Sequence, residues 1–273
     1  MADFSYPTGV AKKLPLALLV FFSALLYNQI QPPPPKVPGS PGGPPITANR
    51  TKLRDGRHLA YLESGVPKDQ AKYKIIFVHG FFCCRYDVLN VSQGLLQELG
   101  IYLLSFDRPG YCESDAHPAR TEESIAVDIA ELADNLQLGP RFHLMGFSMG
   151  GEIMWSCLKH IPHRLAGVAI LAPKQVTQQG EHESLHRDMI VGFGKWGWSP
   201  LQPGNPFAGV GDDVKVHLWH GVEDLFVPVA LSRYISKRLP WVIYHELPTA
   251  GHLFPVADGM PDVIVKSLLL GDG

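Results

Sequence analysis

Six short apolar bursts constrain this chain more than any other feature. They are Ile75 to Val78, Tyr102 to Phe106, Phe142 to Met145, Val168 to Leu171, Val214 to Trp219 and Trp241 to Tyr244. Such runs fit strands buried on both faces, as in a parallel sheet covered by helices. Helical patterns lie between them. Ile125, Ile129, Leu132 and Leu136 recur at helical spacing as one apolar stripe, with Glu122, Glu123, Asp128 and Glu131 expected on the wet side. Strands alternating with helices imply right-handed crossovers and a mostly parallel sheet flanked by helices. An opening hairpin precedes them, with Asp55-Gly56 between two short alternating runs in Lys52 to Ser64. In such sheets, functional groups gather at the carboxyl ends of strands.

A chain of 273 residues is ample for one large core plus appendages. Its net charge of -2 argues against a nucleic-acid partner, which would call for a basic stripe. Cys83, Cys84, Cys112 and Cys157 show no metal-ligand spacing, and they read as buried or half-buried thiols rather than a disulfide framework.

The N-terminus is different material. Residues Leu14 to Ile30 read LPLALLVFFSALLYNQI and follow Lys12-Lys13. The uninterrupted apolar part, Leu14 to Tyr27, is short for a membrane span and lies in the range of a signal-peptide core. Counted to Ile30, the helix is about 26 Å long at ~1.5 Å per residue, close to the ~27 Å core of an ER-type bilayer. Pro15 falls in the first turn, and no A-x-A cleavage pattern follows. The expectation is an uncleaved signal-anchor or transmembrane helix within residues 1–30, with a cleaved signal peptide or a buried or peripheral helix as alternatives. Lys12 and Lys13 would then hold the N-terminus on the cytoplasmic side and place the remainder in an ER-type lumen. Residues 31–46 are rich in Pro and Gly and read as a semi-rigid spacer. Residues 47–273 remain for the folded domain.

Gly146-Phe147-Ser148-Met149-Gly150 follows one apolar burst and opens a helical stretch. A nucleophilic serine on a sharp strand-to-helix turn needs small neighbours on both sides, which this G-x-S-x-G supplies. With the remaining landmarks, the chain resembles the α/β-hydrolase superfamily. Those landmarks are His79-Gly80-Phe81, the Phe106-Asp107-Arg108-Pro109-Gly110-Tyr111 strand end, Leu218 to Asp224 through Val227-Pro228, and Ala250-Gly251-His252. The anchor, the spacer and residues Tyr234 to Trp241 look similar to a membrane-anchored, plant-type branch.

The resemblance implies an α/β-hydrolase fold with Ser148 as nucleophile, His252 as base and Asp224 as the acid that orients it. It also implies an oxyanion hole from the backbone N–H groups of Phe81 and Met149. Glu223 is a rival acid beside Asp224. His79, His220 and His245 read as structural, and Asp107 and Arg108 as a salt-bridged turn with substrate contact as the alternative. His182 and His186 lie four apart but lack a third ligand. No cofactor or metal is called for.

Many relatives insert a helical cap between the sixth strand and the acid strand. Here only residues 173–213 are free for it, and Glu181 to Phe193 suits the ordinary connecting helix. The cap is therefore expected to be minimal or missing, and the triad unusually exposed. The implied activity is hydrolysis of carboxylic esters, thioesters or lipid acyl groups, with a small-molecule or lipid ester as substrate. Acyl transfer, or a catalytically weak or non-enzymatic scaffold or receptor-like protein on the same fold, are the competing functions. The serine at the elbow disfavours epoxide hydrolase and dehalogenase chemistry, where the relatives place aspartate.

Overall fold

Every apolar burst becomes a strand of one sheet in the computed structural model, which describes residues 8–30, 37–173, 197–201, 204–208 and 214–271. The strands are β1 (Asn49–Lys52), β2 (His58–Gly65), β3 (Tyr73–Val78), β4 (Ile101–Phe106), β5 (Phe142–Phe147), β6 (Leu165–Leu171), β7 (Val216–Gly221) and β8 (Val242–Leu247). Their order is β1-β2-β4-β3-β5-β6-β7-β8. β1 pairs antiparallel with β2, and β2 with β4; all other pairs are parallel.

The expected hairpin forms around Gly56, whose φ of 93° is cheap only for glycine. Among the described residues, five helices accompany the sheet: α2 (Gln93–Leu99), α3 (Glu122–Asn135), α4 (Met149–His160), α5 (Val229–Arg238) and α6 (Met260–Leu270). The core has two layers, because alternate strand residues point to opposite faces. Ile76, Val78, Leu104, Phe106 and Leu144 pack with Ile129 and Leu132 of α3 and Met154 and Leu158 of α4. Ile75, Phe77, Leu103 and Met145 pack with Leu95 and Leu96 of α2 and Ile264, Val265 and Leu268 of α6.

Thr121 begins α3 with a reciprocal capping box to Ser124, satisfying first-turn donors. The apolar stripe of α3 is buried as expected, but Asp128 is not on the wet side. It is 3 % exposed and accepts two hydrogen bonds from Arg57, at 2.7 and 3.0 Å. The guanidinium from the hairpin is what allows a carboxylate beside Ile129 to be buried.

Met1–Pro44 and Pro45–Gly273 are separate compact units. The first contains α1 (Thr8–Ile30), whose Leu16, Phe21, Phe22 and Leu26 are exposed. The signal-anchor, the transmembrane helix and the membrane-anchored luminal location are corrected here: among the described residues, no helix is long and apolar enough to cross a membrane. The unbroken apolar run from Leu14 to Tyr27 gives only about 21 Å of helix, against a hydrocarbon core of ~30 Å. Polar Lys12-Lys13 and Asn28-Gln29 bound it. Residues 31–36 of the spacer and 174–196, 202–203 and 209–213 of the cap region lie outside the described residues. The Glu181 to Phe193 helix, His182 and His186 fall there too.

Candidate active site

β5 runs into Ser148 and then directly into α4. With no loop between, Ser148 alone absorbs the reversal, at φ 55° and ψ −116°, which side-chain-bearing residues rarely adopt. Close backbone approach explains the flanking glycines. A Cβ on Gly146 would lie 2.3 Å from the Gly150 carbonyl oxygen, and one on Gly150 would lie 2.0 Å from that of Val78.

The carboxyl ends of β5, β7 and β8 bring the serine, acid and histidine segments together. Ser148 Oγ lies 3.2 Å from His252 Nε2, and His252 Nδ1 lies 2.7 Å from Asp224 Oδ2. A carboxylate only accepts, so the Nδ1 proton points at Asp224 and Nε2 is left to accept from the serine hydroxyl. Backbone bonds lock the two loops: Val222 N–H donates to Leu247 and Glu223 N–H to Ala250, both at 2.9 Å.

Asp224 is held from several sides. Its Oδ1 accepts from the N–H groups of Phe226 and Val227, each at 2.8 Å. His220 Nε2 lies 3.3 Å from its Oδ2 and 3.1 Å from the Val227 carbonyl oxygen, while His220 Nδ1 lies 2.7 Å from Ser232 Oγ. Burial holds the His220 pKa below the ordinary imidazole value, against the pull of Val227 and Asp224. A neutral ring donating from Nε2 and accepting from Ser232 at Nδ1 fits all three neighbours. Glu223, the rival acid, is exposed.

His220 was expected to be structural, and its contact with the acid is an addition that no motif signalled. Phe147 and Phe226 are also additions: their rings lie 5.2 and 5.3 Å from the His252 imidazole. These rings help explain why the triad is not unusually exposed. Ser148 is 4 % exposed, and the side chains of His252 and Asp224 are 9 % and 0 % exposed.

Met149 opens α4, so its N–H is one of the first-turn amides without a partner inside the helix. Phe81 follows His79-Gly80 just past the end of β3. His79 shapes that loop. Its Nδ1 lies 2.8 Å from the Gly80 carbonyl oxygen, its Nε2 accepts from the Arg108 N–H at 3.0 Å, and its ring meets Tyr111 edge-on. Arg108 Nη2 donates to Gly80 at 2.9 Å, and Asp107 forms a buried ion pair with Arg85. Both therefore build the turn. Among the described residues, one group of potential metal ligands comes together, Cys84, Asp107 and Cys112.

The sheet and the sharp strand-to-helix turn at Ser148 define the class, an α/β protein. Residues 73–199 match the family model described as alpha/beta hydrolase fold, and the chain has the α/β-hydrolase fold. Solved structures agree on the fold. The esterase EaEST from Exiguobacterium antarcticum is 19% identical with TM-score 0.57, covering 81% of this chain and 97% of its own. Est1E from Butyrivibrio proteoclasticus, with ferulic acid bound, is 16% identical with TM-score 0.58, covering 77% and 93%. A putative lipase from Acinetobacter baumannii AYE is 14% identical with TM-score 0.60, covering 81% and 89%. No curated protein sequence matches this chain. At these identities the likeness establishes the fold alone, and a plant-type branch is not shown.

Proposed function

We propose that this protein is a serine hydrolase that cleaves carboxylic esters, thioesters or lipid acyl groups through an acyl-enzyme. The observation that carries the proposal is the continuous chain from Asp224 through His252 to Ser148, with contacts of 2.7 and 3.2 Å. The esterase EaEST, which shares the fold, lends support in the same direction.

In this reading Ser148 Oγ attacks the acyl carbon while His252 Nε2 takes its proton. The N–H groups of Phe81 and Met149 stabilise the oxyanion, and Asp224 stabilises the imidazolium. Collapse expels the alcohol or thiol, which leaves with the proton from His252. Water then attacks the acyl-enzyme, His252 takes its proton, and the acid departs as Ser148 regains its hydrogen. Phe147 and Phe226 keep the imidazole in place between turns of this cycle.

The test is a fluorophosphonate probe on the full chain, read by intact mass. One adduct is expected, absent in Ser148→Ala and slowed at least ~100-fold in His252→Ala, since serine is weak without its base. A folded chain that stays unlabelled would sink the proposal and leave a non-enzymatic scaffold as the better account. Product analysis with an ester and a competing alcohol then separates hydrolysis from acyl transfer.

A further inference from the structure

We propose that Cys84 and Cys112 form a disulfide that ties the loop carrying Phe81 to the turn after β4. The two sulfurs and a carboxylate oxygen of Asp107 all lie within 4.8 Å of one another. Bond formation would require side-chain rotation and a small loop shift to close that range to the ~2.05 Å of a disulfide. Cys112 is exposed and Cys84 half-buried, so a small oxidant or reductant can reach the pair.

The neighbouring residues already hold the two segments side by side. Arg85, next to Cys84, donates from Nη2 to Glu113, next to Cys112, at 2.8 Å. Its Nη1 and backbone N–H also bind Asp107, at 2.5 and 2.7 Å. Cys112 occupies the left-handed region at φ 42°, and Phe82 on the facing loop does so at φ 60°. A covalent tie would hold both strained turns.

The same atoms suit a metal ion less well. Both Asp107 oxygens are engaged by Arg85, and Oδ2 also accepts from the Glu113 N–H at 3.2 Å. A cation there would sit against the Arg85 guanidinium. The thiols are not poised as thiolates either: burial and then Asp107 push Cys112 up to about 12, and burial raises Cys84.

The oxidant is a low-molecular-weight disulfide such as oxidised glutathione. The exposed Cys112 sulfur, as its thiolate, attacks one glutathione sulfur and releases a glutathione thiolate. Cys84, after losing its proton, attacks the Cys112 sulfur of the mixed disulfide and releases the second. The protein loses two electrons and two protons, and the glutathione disulfide becomes two thiols. Raised thiol pKa values slow both thiolate attacks. The bridge does not depend on Ser148 being a nucleophile.

The full chain is equilibrated in reduced or oxidised glutathione, its free thiols are alkylated, and an unreduced digest is analysed by mass spectrometry. The expected result is a linked pair of peptides containing Cys84 and Cys112. It persists in Cys83→Ser and is lost in Cys84→Ser and Cys112→Ser. Closing about 28 residues in a loop is expected to raise Tm by about 5–10 °C, reversed by a phosphine reductant. Independent alkylation of both thiols in the folded, oxidised sample would overturn the proposal. So would a bridge from Cys83, a bridge that lowers Tm, or one equivalent of zinc retained by the reduced chain.

Discussion

Gly221 has no room for a side chain: a Cβ there would lie 2.1 Å from the Ala250 carbonyl oxygen, two residues before His252. Gly221→Ala must push the acid and histidine loops apart, and because backbone cannot yield cheaply, a cost of about 2–4 kcal/mol is expected. Probe labelling of Ser148 should fall at least ~30-fold, since the triad distances are set by those loops. A variant that labels at the parent rate would show that the loops do not position the triad. His220 acts one contact further back. Its replacement in His220→Leu strands Ser232, Val227 and part of Asp224, and an unsatisfied buried group costs about 1–3 kcal/mol. Labelling is expected to slow by about 10-fold, with partial recovery in His220→Gln, whose amide can still donate to Val227. Full activity in His220→Leu would make the contact incidental. None of these dependencies was legible beforehand, because His220 sits in an apolar strand four residues before Asp224 and only the turn at Val227 closes the ring of contacts.

At the scale of elements, periodicity read well and charge placement did not. The stripe Ile125, Ile129, Leu132 and Leu136 faces the sheet, and each fully buried aliphatic side chain contributes about 1.5–3 kcal/mol. Asp128 lies between two of them in sequence and is buried because Arg57 reaches across from β2's hairpin. Helical spacing cannot announce a cation about seventy residues away. Arg57→Ala is expected to destabilise the fold by about 3–5 kcal/mol, measured as the urea midpoint, because it leaves a buried carboxylate unpaired. Arg57→Leu combined with Asp128→Leu should recover most of that loss. A single-variant cost below ~1 kcal/mol would mean that water replaces the guanidinium.

For the whole molecule, His143 and Glu113 are two of the groups that predict acid sensitivity, and His220, also held low by burial, adds to the His143 stage. Burial lowers the His143 pKa to about 4 from 6.5, the ring being enclosed between Tyr73 and the Gly167 backbone. The unfolded chain therefore binds a proton below about 6.5 that the folded chain refuses. Its stability contribution is full above that pH and is lost as pH falls toward 4, by at most about 3 kcal/mol. Glu113 has the depressed carboxylate pattern. Burial works to raise it, but hydrogen bonds from Thr47, Ala48 and Arg85 hold it at about 2. Its contribution is present above about 4.5 and is lost as pH falls toward 2. Urea midpoints should thus decline in two stages below pH 6.5, and His143→Gln should make the first shallower. An unchanged midpoint between pH 7 and 5 would refute the His143 assignment.

The local code by itself determined the strands, the α3 stripe, the Asp55-Gly56 turn and the glycine-flanked Ser148, because each rests on spacing within a few residues. It also suggested a membrane helix that the described residues do not contain, since an apolar run alone does not measure itself against a bilayer. Only the tertiary structure decided which distant side chains meet. The order β1-β2-β4-β3-β5-β6-β7-β8 sets β7 beside β8, so that Asp224 and His252 meet at one edge, and brings the turn after β4 against the loop after β3. That adjacency puts Cys84 near Cys112 and Arg85 on Asp107. It follows from packing two apolar layers around one sheet, a condition on the whole chain that no short window of residues expresses.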